Sequence, residues 1–119
     1  MKLKLALPKF RRERTRFARN FVRYTCQIDT HLTLIDRMSQ FEGRIIDISN
    51  GGALFRPKLA YIMHRANVPV CITLGSEELF GQIVNTSPRG FSIRFEQPLD
   101  DDIFEELMAG YKMEPQNGG

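Results

Sequence analysis

The stretch from Gly43 to Arg56 constrains the fold of this chain more than any other. It reads Gly43-Arg44-Ile45-Ile46-Asp47-Ile48-Ser49, then Asn50-Gly51-Gly52, then Ala53-Leu54-Phe55-Arg56. Two β-rich runs flank an Asn-Gly pair, the strongest short signal for a two-residue hairpin, because both central residues tolerate positive φ. Pro57 ends the returning strand, since proline has no N–H for a sheet ladder. A hairpin so early in the chain demands further strands to cover its apolar face.

The rest of the sequence supplies them. Residues 21–28 (Phe21 to Ile28) are rich in aromatic and β-branched side chains and read as a strand. Leu32-Thr33-Leu34-Ile35 reads as a second piece, separated from the first by Asp29-Thr30-His31. Residues 58–67 form a loop or one short helix. Val68, Val70 and Ile72 then alternate with Pro69, Cys71 and Thr73, and Leu79–Val84 follows as another strand. Ser87-Pro88-Arg89-Gly90 is a turn, after which Phe91, Ile93 and Phe95 alternate with Ser92, Arg94 and Glu96. Ile103, Phe104, Leu107 and Met108 form one apolar stripe on a short helix, with Asp100, Asp101 and Asp102 at its positive end and Gly110 at its close. The expected fold is mainly β: a small six-stranded antiparallel β-barrel with a C-terminal α-helix over an open end or edge, preceded by a basic N-terminal arm. The expected organisation is a flexible arm over residues 1–19, a barrel plus helix over 20–110, and a disordered tail over 111–119.

Charge is divided unevenly along the 119 residues. Residues 1–23 hold nine of the 17 lysines and arginines against one acid, Glu13, for a net +8, whereas the remainder carries −5. No run of 18 apolar residues exists, and residues 1–8 are too interrupted by Lys4 for a signal peptide. Cys26 and Cys71 lack a CxxC spacing, and with only His31 and His64 besides, no metal site is expected. A reducing cytoplasm, where free thiols simply pack, is the expected compartment. There is no Gly-x-Ser-x-Gly and no phosphate-binding Gly-Lys-Ser/Thr loop, so an enzyme is not expected.

Two constellations could carry chemistry. Arg11-Arg12-Glu13-Arg14-Thr15-Arg16-Phe17-Ala18-Arg19 suits a solvated tail, nonspecific attraction to nucleic acid or anionic lipid, or an anion clamp. Guanidinium forks match phosphate oxygens and the O6/N7 edge of guanine. In an ideal strand over residues 44–49, Arg44, Ile46 and Ile48 share one face while Ile45, Asp47 and Ser49 share the other. Asp47 and Ser49 thus stand side by side before the turn. They suit either a base edge or the backbone of their own turn, and Gly52 allows close approach of a ligand.

Together these residues resemble the PilZ family, bacterial domains that bind cyclic di-GMP. Its signature pairs Arg-x-x-x-Arg on an N-terminal arm with a later Asp/Asn-x-Ser-x-x-Gly. Asp47-Ile48-Ser49-Asn50-Gly51-Gly52 completes the second half, and the similarity runs over about residues 11–109. Arg12 and Arg16 satisfy the first half literally. When Arg19 is taken as the arginine nearest the barrel, Thr15 stands at the other position, flanked by Arg14 and Arg16.

The resemblance implies cyclic di-GMP as ligand and no further cofactor. Arg12, Arg14, Arg16 and Arg19 supply phosphate and guanine contacts, Asp47 and Ser49 bond the base edge, and Gly52 admits the ligand. The arm orders on binding, and the signal leaves through an unidentified protein partner. Insertion into a membrane is not expected. Two alternatives remain open: a degenerate adaptor of the same fold that binds no nucleotide, and a nonspecific nucleic-acid-binding barrel.

Overall fold

A computed structural model of the chain describes residues 21–59 and 67–116. The arm assigned to residues 1–19, most of the 58–67 connection and residues 117–119 lie outside the described residues. Among the described residues, seven strands and one helix follow in order: β1 (Tyr24–Leu34), β2 (Ser39–Ser49), β3 (Gly52–Pro57), β4 (Val68–Leu74), β5 (Glu77–Ser87), β6 (Gly90–Phe95), α1 (Asp101–Met108) and the two-residue β7 (Glu114–Pro115). All pairings are antiparallel. The sheet runs β2-β3-β6-β5-β4-β1-β7, and a further β1–β2 pairing closes its first six strands into a barrel. Closure pairs each barrel strand on both sides over part of its length, while the start of β1 keeps an edge that β7 takes.

β1 closes the barrel because it is long and pairs on both sides. It runs against β2 along most of its length, while Leu32, Thr33 and Leu34 also pair with Ile72, Cys71 and Val70 of β4. The expected interruption at Asp29-Thr30-His31 does not occur. Asp29 faces outward and pairs with Arg44 at 2.8 Å, directly across in register. Thr30 takes an inward-alternating position, with its hydroxyl donating to the Thr73 carbonyl. Polar residues that each find a partner interrupt neither the ladder nor the alternation, so Cys26, Ile28, Leu32 and Leu34 are all buried.

The core is the sum of these inward faces. Phe55, Phe91, Ile28, Leu32, Ile45, Ile48 and Ile83 are fully enclosed, and Val68, Val70, Ile72 and Leu74 supply the β4 stripe as the alternation predicts. Phe41 meets Phe91 edge to face, with centroids 5.9 Å apart and planes at 84°. The helix buries Phe104 and Met108 in this same core, and Phe104 also lies 5.7 Å from the Tyr24 ring. The expected four-residue stripe is narrower in fact. Leu107 is only partly buried and Ile103 is exposed, because an eight-residue helix resting on a barrel presents one ridge to it. Gly110, at φ +94°, ends the helix as expected.

The expected disordered tail is also corrected. Glu114 and Pro115 pair with Thr25 and Tyr24, the Gln116 N–H donates to the Arg23 carbonyl at 2.9 Å, and Met113 packs on the core. Polar composition hid an apolar anchor and a strand edge waiting for a partner. Among the described residues, no helix is long and apolar enough to cross a membrane.

Candidate functional site

The site grows from the end of β2. Register along β2–β3 shifts between Ile45 and Asp47, leaving Ile46 as an extra residue in a bulge. The bulge resets the alternation: Ile45 and Ile48 both point into the core, while Ile46 does not. The faces expected from an ideal strand are therefore half corrected. Asp47 and Ser49 do share the outer face opposite Ile48, but Ile45 is not with them.

The turn that follows holds its shape by contacts rather than by left-handed backbone. Neither Asn50 nor Gly51 adopts positive φ, contrary to the expectation from the Asn-Gly pair. Asn50 is buried, and its side-chain amide donates to the Leu99 carbonyl at 2.8 Å and to Asp101 Oδ1 at 3.1 Å. The Leu99 N–H returns a bond to the Asn50 carbonyl, and the Phe95 N–H donates to the Gly51 carbonyl. Ser49 Oγ accepts from the Gly51 N–H at 3.2 Å, so this hydroxyl serves its own turn. At Gly52 a Cβ would fall 2.2 Å from the Ile93 carbonyl oxygen, so the spacing of β3 and β6 itself demands glycine.

Asp47 is on the outer face yet only 2% exposed. Tyr24 pairs with Ile48 and Thr25 with Asp47, so Arg23, just ahead of β1, reaches Asp47 diagonally across the two strands. Its guanidinium grips the carboxylate at two points, Nη2 to Oδ2 at 2.5 Å and Nε to Oδ1 at 3.4 Å. On the core side lies Cys26. Burial first, and then the Asp47 charge, push its thiol up to about 11, so it stays protonated and bonds weakly to the Ile45 carbonyl.

A surface groove of about 540 Å3 opens over these residues. Arg23, Asp47, Ser49, Gly51 and Gly52 line one side. Asn85 and Ser87 of β5, Arg89 of the β5–β6 turn, and Ser92 and Arg94 of β6 line the other. Three arginines thus line a hollow whose one carboxylate, Asp47, is already paired. Such a surface attracts an anion with hydrogen-bond acceptors. A separate hollow of about 630 Å3 is lined by Asp29, His31, Glu42, Arg44, Arg56 and Lys58. Its charges are of both signs, and Arg44 is already bonded to Asp29. The Asp47 groove is the better candidate on charge.

The structure therefore brings Asp47, Ser49 and Gly52 to one groove. Arg12, Arg14, Arg16 and Arg19 lie outside the described residues. Arg23, Arg89 and Arg94 also line the groove and were not singled out from sequence. Alternation put Arg94 outward on its strand, but only the β3–β6 pairing sets it opposite Gly52.

A family model described as the PilZ domain matches residues 13–111. The chain belongs to the PilZ domain family. The match runs from the arginine-rich arm through α1, so it spans both the groove and the barrel that shapes it. PilZ domains are generally modules that bind cyclic di-GMP. No match to a curated protein was found.

Proposed function

We propose that this PilZ domain binds cyclic di-GMP in the groove beside Asp47, Ser49 and Gly52, and that binding orders the arm carrying Arg12, Arg14, Arg16 and Arg19. The reading is supported above all by one observation: three arginines, Arg23, Arg89 and Arg94, line the groove into which the Asp47–Gly52 turn opens. A cyclic dinucleotide offers two phosphates and two guanine edges, and guanidinium forks suit both. Micromolar affinity needs about −8 kcal/mol. Charge-assisted hydrogen bonds contribute about 1.5–3 kcal/mol each, so a few contacts suffice if few arm residues must be ordered. Arm closure would change the surface shown to a partner protein, and the module would signal by that change.

Calorimetric titration of the full chain with cyclic di-GMP tests this reading. Saturable binding, weakened when Arg19→Ala removes one arm guanidinium, is expected. No heat and no chemical-shift change at high micromolar ligand would overturn it and leave the nucleotide-free adaptor as the better reading.

A further inference from the structure

We infer that the apolar groove between Phe80 and Leu99 is the docking site of this chain's own N-terminal segment, residues 2–7. The inference goes beyond the cyclic di-GMP reading and involves no nucleotide.

The groove has a volume of about 180 Å3, and Leu79, Phe80, Phe95 and Leu99 line it together with Glu78 and Glu96. Phe80 lies on the outer face of β5 and is 47% exposed, the one exposed phenylalanine among the described residues. Leu79 and Leu99 are partly buried and pack on the core beside it, so the apolar surface continues inward from the ring. Glu78 shares the outer face of β5 by alternation. Glu96 is set beside it, since its N–H donates to the Phe80 carbonyl at 2.9 Å.

The surroundings are acidic without compensation. Residues 67–88 and 95–111 contain eight aspartates and glutamates and no lysine or arginine. Among the described residues none of these eight enters an ion pair. An occupant that suits the groove therefore brings apolar side chains and positive charge together.

Residues 2–7 have that composition in the required order. They read Lys2-Leu3-Lys4-Leu5-Ala6-Leu7. An extended strand of this sequence puts Leu3, Leu5 and Leu7 on one side and Lys2 and Lys4 on the other. The leucines match Phe80, Leu79 and Leu99, and the long lysine stems carry their charge back to the two glutamates. The period is two rather than 3.6, so the segment has no apolar helix face of the kind that lies on a membrane. The family match begins at residue 13, beyond this segment.

The chain also enters the barrel beside the groove. Phe21 packs near Gly51, where a Cβ would fall 2.9 Å from its ring. The Gly51 carbonyl accepts from the Phe95 N–H and the Asn50 carbonyl from the Leu99 N–H, and both donors belong to groove residues. Residues 8–20 link the docked segment to Phe21 and span about 43 Å when extended, so reach sets no limit. Such a tether gives an effective concentration of about millimolar, at which a contact too weak to join separate molecules is populated within one.

The test compares amide NMR spectra of full-length chains without nucleotide. The set is the wild type, Leu3→Ser/Leu5→Ser/Leu7→Ser, Phe80→Ser, Glu78→Lys/Glu96→Lys, and that last pair combined with Lys2→Glu/Lys4→Glu. Circular dichroism and melting check each fold. The leucine variant, altered only outside the barrel, is expected to shift the amides of Phe80, Glu96 and Leu99 and to leave those of Arg44 and Arg56 in place. Phe80→Ser is expected to move the resonances of residues 2–7 to random-coil positions. Glu78→Lys/Glu96→Lys should do the same, and the added Lys2→Glu/Lys4→Glu should restore the docked positions. Unchanged Phe80, Glu96 and Leu99 amides in the leucine variant overturn the inference, as does a charge swap that restores nothing. Shifts that vanish on dilution, with faster tumbling, assign the groove to the segment of a second copy and overturn docking within one chain. Binding to phosphatidylserine vesicles that the leucine variant loses, with those three amides unmoved, makes the segment a lipid anchor and overturns it too. Because nucleotide is absent throughout, the result stands or falls separately from the cyclic di-GMP reading.

Discussion

Asn50 and Leu99 bond to each other in both directions: the Leu99 N–H donates to the Asn50 carbonyl, and the Asn50 side-chain amide donates to the Leu99 carbonyl, each at 2.8 Å. This reciprocal pair joins the β2–β3 turn to the segment that enters α1. The same amide reaches Asp101 in the first turn of the helix. One buried side chain thereby fixes the turn that borders the groove to the element that caps the core.

Asn50→Ala removes two side-chain bonds and strips the Leu99 carbonyl of its donor. The expected cost is about 1–3 kcal/mol, the penalty for leaving a buried polar group unsatisfied. Asn50→Asp should cost more at neutral pH, since it sets a carboxylate against the Leu99 carbonyl and the Asp101 carboxylate. Urea unfolding of both variants measures the difference. An unchanged midpoint in both would show that the pair does not hold the turn.

Gly52→Ala is expected to destabilise the barrel whether or not ligand is present. The new methyl would meet the Ile93 carbonyl at 2.2 Å, and backbone cannot yield as a side chain can. Overpacking of this kind costs about 1–3 kcal/mol. Gly51→Ala should be milder, because its methyl meets the edge of the Phe21 ring at 2.9 Å, which can turn aside. Melting temperatures rank the two. A Gly51 variant less stable than the Gly52 variant would contradict the strand-spacing argument.

These positions show what the sequence could and could not reveal. The barrel was legible because alternation in Val68–Leu74 and Phe91–Phe95 is strict, and the observed burial follows it residue by residue. Asp47 and Ser49 were legible as neighbours on one face. Ile45 was not, since a bulge follows from how β2 meets β3 and leaves no mark in composition. The importance of Asn50 and Gly52 was legible, but the observed reasons differ: Asn50 acts through tertiary bonds where positive φ was expected, and the close approach seen at Gly52 is that of the Ile93 backbone. Arg89 and Arg94 were hidden because β3 pairs with β6, beyond two intervening strands. Arg23 was counted in the charge of the arm, but its pairing with Asp47 depends on the β1–β2 register, which no local pattern announces.

The two thiols should differ in reactivity. Cys26 is buried, and burial with the Asp47 charge raises its pKa from 9.0 to about 11. Cys71 is partly exposed, and burial with the Glu78 charge raises it from 9.0 in the same direction. A thiol reagent at pH 8 should label Cys71 first and Cys26 only on unfolding, as mass spectrometry of labelled peptides would register. The sign of the pH dependence follows from linkage. Between pH 9 and 11 the folded state keeps the Cys26 proton that the unfolded state loses, so this group's contribution to stability is full below pH 9 and declines across that window. Cys26→Ala should flatten that part of the pH–stability profile. A profile equally steep without the thiol would assign the decline to other groups.

The helix offers a contrast within one turn. Phe104 is 5% exposed, sits in the core and stacks near Tyr24, whereas the adjacent Ile103 is 45% exposed. Phe104→Ala should cost about 3–5 kcal/mol, the usual penalty for deleting a buried aromatic ring. Ile103→Ala should stay within about 0.5 kcal/mol, as for other surface positions. Because Leu99 and Asp101 bond to Asn50, loosening the helix in Phe104→Ala should also perturb the β2–β3 turn. Amide hydrogen exchange reads both effects in one experiment, with faster exchange expected at the Phe104 N–H in the helix and at the Gly51 N–H in the turn. Faster exchange in the helix with an unchanged rate at Gly51 would show that the turn keeps its shape without the helix docked.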